Sequence, residues 1–157
     1  MSTAVDPELD LTFSRVIRAP RAAVWRAWTD PRRLEQWWIP APARCRVVAL
    51  ELRPGGAFVT QMSEGGKDFA PHVSGCFLDV VPEERLVFTT ALVGGFRPGE
   101  PWLAMTAALS FTDHAEGMTY AAHVMHRNPE DRVQHDKLGF HDGWGTVAAQ
   151  LARLVET

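Results

Sequence analysis

Only two cysteines, Cys45 and Cys76, occur among the 157 residues, and they stand in unlike contexts. Two thiols make neither a disulfide framework nor, by themselves, a structural zinc site, so both are expected to be reduced. Long apolar runs are missing as well. No window approaches the roughly 18 apolar residues of a spanning helix, and the N-terminal MSTAVDPELDL has no cationic stretch leading into an apolar one. A cytoplasmic protein is therefore expected, with no membrane partner. Nor is there an excess of positive charge: 16 Lys and Arg stand against 19 Asp and Glu, for a net charge of −3. Nucleic acid, which needs a basic field, is not expected as a partner.

Catalytic signatures are equally scarce. Ser63, Ser74 and Ser110 fall in strand contexts without a G-X-S-X-G elbow. Cys45 is flanked by Arg44 and Arg46, which could lower its pKa, but it falls in an expected exposed loop with no base assigned to it, and it does not read as a nucleophile. Arg53-Pro54-Gly55-Gly56 lacks the spacing of a phosphate-binding loop and a helix after it, which leaves a turn between strands. No histidine pair has the H-E-X-X-H spacing. His123 and His126, three apart on an expected strand, point to opposite faces, and His135 and His141 lie six apart on an expected helix. No metal or cofactor is expected.

What is present is a hydrophobic pattern that changes period twice. With 46% apolar and 22% charged residues, the chain reads as one globular domain over 1–157 with its core at about 10–155. DLTFSRVIR alternates as a first strand. Two short helices follow, one in RAAVWRAWTD and one from about Pro31 to Trp38. From Cys45 to Arg127 period two prevails, broken by turn signals that leave room for six strands, and the short connections favour antiparallel pairing. A single long helix from about Glu130 to Glu156 closes the chain, with Val133, Phe140, Trp144, Val147, Leu151 and Leu154 on one stripe. The expected class is α+β, a curved antiparallel sheet of about seven strands covered by that helix.

The stretches IRAPRAAVWRAWTDPRRLEQWW, LRPGGAF, SGCFLDVVPEERLVFT, MTAALSFTDHAEGMTYAAHVMH and HDGWGTVAAQLARL, in this order over about residues 15–154, resemble the activator-of-Hsp90-ATPase-like branch of the START-like (SRPBCC) superfamily. The resemblance implies a helix-grip fold, in which the sheet curls around the C-terminal helix and leaves a cavity between them. One position departs from it: similar members commonly have Gly after the Trp pair, where Ile39 stands here and is expected to shift or stiffen the loop.

Candidate site residues follow from that frame. Trp37 and Trp38 end the second short helix just before Pro40 and Pro42, so one indole is expected to pack and the other to stand at the cavity rim. The alternation of residues 102–111 turns Leu103, Met105, Ala107, Leu109 and Phe111 toward the helix, which makes Met105 a lining candidate beside Trp144. Inward-facing small residues, Ala107, Ala121 and Ala122, would leave unfilled volume unless Phe and Trp side chains take it up. Gly143 in mid-helix implies that something approaches there. His141, at the stripe's border, and His123 are candidate polar handles for an otherwise apolar ligand.

Two functions fit these residues. One is a binding protein for a small hydrophobic or amphipathic molecule, acting as a monomer or weak homodimer. The other, implied by the superfamily, is a cyclase- or hydratase-type enzyme using His141, His123 or His72 as general acid or base. A chaperone partner is a third implication, carried by the family's description alone.

Overall fold

The computed structural model describes residues 4–156. Strand β1 (Asp10–Ile17) leads into α1 (Arg21–Thr29) and the four-residue α2 (Pro31–Leu34). Then come β2 (Arg44–Leu50), β3 (Ala57–Ser63), β4 (Ala70–Val81), β5 (Arg85–Thr89), β6 (Leu92–Val93), β7 (Arg97–Pro98), β8 (Met105–His114) and β9 (Gly117–His126), followed by α3 (Pro129–Lys137) and α4 (Phe140–Val155). Seven strands form one antiparallel sheet in the order β1-β9-β8-β5-β4-β3-β2, while β6 and β7 make a separate small ribbon. Register shifts at Val47/Ala49, Thr60/Gln61 and Phe77/Asp79 lie in the β2–β5 half of the sheet, and bulges of this kind bend strands and increase their twist. The concave face so formed holds the core. Along β9, Met118, Tyr120, Ala122, Val124 and His126 are buried in strict alternation with half-buried neighbours.

The expected long terminal helix is two helices. Pro129 stands at the first turn of α3, and the Asn128 side chain accepts from the Asp131 amide, both regular N-terminal signals. The break comes at Gly139, whose φ of 94° and ψ of 41° place it in the left-handed region that only glycine enters freely. The redirection puts Val133 outside the stripe, 42% exposed on α3, and leaves Phe140, Trp144, Val147, Ala148, Leu151 and Ala152 as the buried face of α4. The second short helix stops at Leu34 instead of Trp38. From there the chain continues as turns, with the Trp37 and Trp38 amides both donating to the Leu34 carbonyl.

Aromatic rings fill the middle of the grip. Trp28, fully buried on α1, donates from Nε1 to the Tyr120 hydroxyl at 3.1 Å, and its ring meets those of Trp37, Trp38, Phe58 and Phe88. Burial pushes the Tyr120 hydroxyl's pKa up, so it stays protonated as a polar partner for Trp28. Phe88 of this cluster pairs with Ala107 in the β5–β8 register and Ala122 is likewise buried, whereas Ala121 points to the other face and leaves no internal volume.

The loop carrying the tryptophan pair is tied to α4 through one side chain. Gln150 Nε2 donates to the carbonyls of Trp37 and Ile39, each at 2.9 Å, and its Oε1 accepts from the Ala41 amide at 2.8 Å. Ile39 itself is buried. Gln150→Leu would leave all three backbone groups unpaired, and at about 1 kcal/mol for each bond it is expected to cost 2–3 kcal/mol, less whatever water restores. Urea denaturation checks this; an unchanged midpoint would show that the loop is held by packing alone.

Candidate functional site

Beyond the aromatic cluster a cavity of about 410 Å³ remains open. Its wall comes from five places: Trp38 and Pro40 of the tryptophan loop; Met62, Pro71, His72 and Val73 of the β3–β4 hairpin; Thr90, Trp102, Leu103 and Met105 between and at the ends of β5 and β8; His135, Leu138 and Gly139 from α3 and its end; and Phe140, Gly143, Trp144 and Val147 of α4. Trp102 and Leu138 are exposed, the former at 74%, and mark the rim. None of these residues is Asp, Glu, Lys or Arg.

Trp38, Met105 and Trp144 thus meet in one place. Trp37 does not reach it: the ring is fully buried behind Trp38, with Nε1 donating to the Ala27 carbonyl at 3.0 Å. Neither proposed histidine handle lines the cavity. His141 follows Phe140, and a step of about 100° around the helix turns it to solvent while Phe140 points in. His123 is on the half-exposed face of β9, where Nε2 lies 2.7 Å from Asp10 Oδ2. Two other histidines take their place. His72 Nδ1 lies 3.0 Å from Thr60 Oγ1, and His135 Nδ1 lies 2.8 Å from His126 Nε2. The helix break moved His135 into the wall, and that break was the signal the sequence pattern hid. Burial lowers the pKa of His72, and burial followed by the neighbouring His126 lowers that of His135 to about 4.

Gly143 also differs from expectation. Nothing approaches it; a Cβ placed there would meet no atom within 4 Å, and the missing side chain adds to the cavity. Cys45 is half-buried in β2, not in a loop. Burial first, and the Glu35 carboxylate second, push its thiol up to about 12, the reverse of activation by the flanking arginines. Those guanidinium groups instead sit over the Phe69 ring, Arg46 at 3.9 Å and Arg44 at 5.7 Å from its centroid. The Arg53–Gly56 segment is a turn as expected, with Gly55 at φ 85° and Gly56 so close to the Glu51 carbonyl that no side chain fits.

The family model described as "Activator of Hsp90 ATPase homolog 1-like protein" matches residues 18–156. The chain belongs to that family. Solved structures agree with its START-like fold. Protein NE0264 from Nitrosomonas europaea is 42% identical, with 97% of each chain covered and a TM-score of 0.88. Protein Ms6760 from Mycobacterium smegmatis is 24% identical over 98% of this chain and 96% of its own, with a TM-score of 0.78. A Rhodobacter sphaeroides protein keeps a TM-score of 0.81 at 17% identity, covering 98% and 97%. No curated protein matches the chain.

Within this activator-like domain the cavity histidines make stability depend on pH. An unfolded histidine titrates near 6.5, whereas folded His135 titrates at about 4 and folded His72 is also lowered. Between those values the unfolded chain takes up protons that the folded chain refuses, so stability falls as pH drops from about 6.5 to about 4. Melting temperatures across that window should decline in the wild type and decline less in His135→Asn, which can still donate to His126. Equal slopes would remove His135 as the cause.

Proposed function

We propose that this protein binds a small hydrophobic or amphipathic molecule in the cavity between the sheet and α4. The observation that carries the reading is the open space at Gly143: a helix facing the core ordinarily fills it, yet here α4 has no side chain at 143, between Phe140 and Trp144, and the space left is walled by those two rings with Trp38 and Met105. Acid–base catalysis draws no comparable support. A general acid or base works best when it titrates near the operating pH, and burial moves both cavity histidines downward, His135 to about 4.

A co-purifying organic molecule should be seen by native mass spectrometry of freshly purified protein when compared with its denatured mass. Any ligand found, in that way or from a lipophilic panel, is expected to raise the melting temperature; at a hundredfold excess over Kd the stabilisation is about 2.7 kcal/mol. Gly143→Leu supplies the control. The new side chain occupies the space and replaces a poor helix former with a good one, so the free protein should be at least as stable, by up to about 1 kcal/mol, while the ligand-induced shift disappears. A shift of undiminished size in Gly143→Leu would place binding elsewhere.

A further inference from the structure

The five parts of the cavity wall are held in place unequally. The tryptophan loop is tied to α4 by Gln150. The stretch carrying Thr90, Leu103 and Met105 is cross-bonded through one hydroxyl: Thr90 Oγ1 donates to the Leu103 carbonyl at 2.9 Å and accepts from the Met105 amide at 3.0 Å. Pro71 and Val73 are in register with Gln61 and Thr60 of β3, and His72 between them lies 3.0 Å from Thr60 Oγ1. The inner face of α4 is buried along its length. No comparable anchorage holds α3. Asp131 is the one buried residue of this helix, and its bonds go to Arg127 and Asn128, at the helix's own start. Val133 and Leu138 are exposed, so docking α3 withdraws little apolar surface from water.

What joins α3 to the sheet is concentrated at His135. Among the described residues, two side-chain hydrogen bonds run between them: Arg132 Nε to the Asp10 carbonyl at 3.4 Å, beyond the usual range, and His135 Nδ1 to His126 Nε2 at 2.8 Å. The His135 ring also rests edge-on against Phe140, centroids 5.1 Å apart. His126 is a fixed post, since its backbone amide donates to the Leu9 carbonyl at 3.0 Å and its Nδ1 lies 2.8 Å from the same oxygen. A carbonyl only accepts, so Nδ1 of His126 carries the hydrogen, its Nε2 accepts, and the neutral His135 ring donates. Both ends of α3 are joints. Asn128 before it is extended, with φ −155° and ψ 165°. Gly139 behind it is left-handed, and a Cβ there would meet no atom within 4 Å, so neighbouring side chains do not clamp the turn.

We propose that α3 is a lid on the cavity: it swings out on Asn128 and Gly139 to admit and release the ligand, and the hydrogen bond between His126 and His135 latches it shut. This rests on the cavity being a ligand site, as proposed above. A helix of nine residues does not persist in water once detached, so each opening exposes its backbone amides, and hydrogen exchange reads the lid with no ligand present. Amides of residues 133–138 should exchange about a hundredfold faster than those of residues 147–152 in α4. In His135→Ala they should exchange about fivefold faster still, the effect of one lost hydrogen bond, with α4 unchanged. His135→Asn, which can still donate to His126, should exchange like the wild type. Stopped-flow fluorescence with N-phenyl-1-naphthylamine, an uncharged apolar probe, then reads the gate. Because opening precedes both steps, His135→Ala should speed association and dissociation alike, about fivefold, and leave Kd within about twofold. Loss of a wall contact alone would speed dissociation only and weaken binding. Amides of α3 as slow as those of α4, or a weakened Kd with unchanged association, would overturn the lid while leaving the ligand site intact; if His135→Ala fails to fold, the wild-type exchange still decides. A probe that does not bind, with no thermal shift, would overturn the ligand site and the lid's role with it.

Discussion

The hydrogen bond from Trp28 to Tyr120 ties the first helix to the concave floor of the sheet, and the positions of the other large rings follow from it. A strongly curved sheet encloses more volume than one amphipathic helix can fill, so the remainder must be taken up by large side chains or left open. Trp28 settles that division. Its indole is buried without leaving its N–H unpaired, since the Tyr120 hydroxyl lies 3.1 Å away, and with Trp37, Phe58 and Phe88 around it the central part of the grip is solid. The opening begins at Trp38, where this cluster gives out.

Two further features decide where the opening lies. Gln150 holds the tryptophan loop against α4 through three backbone hydrogen bonds, which fixes the orientation of Trp38 without using the indole nitrogen. Gly139 turns the chain between α3 and α4, so that α3 brings His135 to the wall while α4 starts afresh with Phe140 facing in. A continuous helix could not present both His135 and Phe140 in this way; five residues on a regular helix are about 140° apart.

The fold was legible in the chain because its signals are periodic and local. The strand alternation of β8 and β9, the turn glycines at 55 and 56, and the α4 stripe each depend on neighbours two to four residues away, and each reads the same in sequence and structure. The site was legible only in part. Trp38, Met105 and Trp144 follow from facing rules, and Trp37 separates from Trp38 because consecutive residues at a helix end diverge. Residue type marks His123 and His141 as polar handles, but facing rules put His123 opposite His126 and His141 only at the stripe's border, and the structure turns both away from the cavity. His135 was hidden because residues 130–156 read as one helix: Gly139 is one of three glycines in that stretch, with Gly143 and Gly145, and the apolar pattern does not mark it as the break. Gln150 and the Thr60–His72 pair depend on contacts between elements far apart in the chain, which no periodicity reports.

Gly143 and the Trp38 nitrogen bear on one question, whether the cavity is a packing defect. Gly143 lies in the first turn of α4, where glycine costs up to about 1 kcal/mol relative to alanine, and alanine would meet no steric obstacle there. An unpaired buried donor costs about 1–3 kcal/mol, and the indole of Trp38 has no partner in the protein. Both penalties fall on residues that line the same cavity, although the Trp38 nitrogen itself is buried behind that wall. Imperfect packing would scatter such costs across the core, whereas the rest of the buried side-chain polar groups among the described residues are paired. The volume beside Gly143 therefore follows from the residue at that position and not from a limit on packing, because a larger side chain there meets no neighbour.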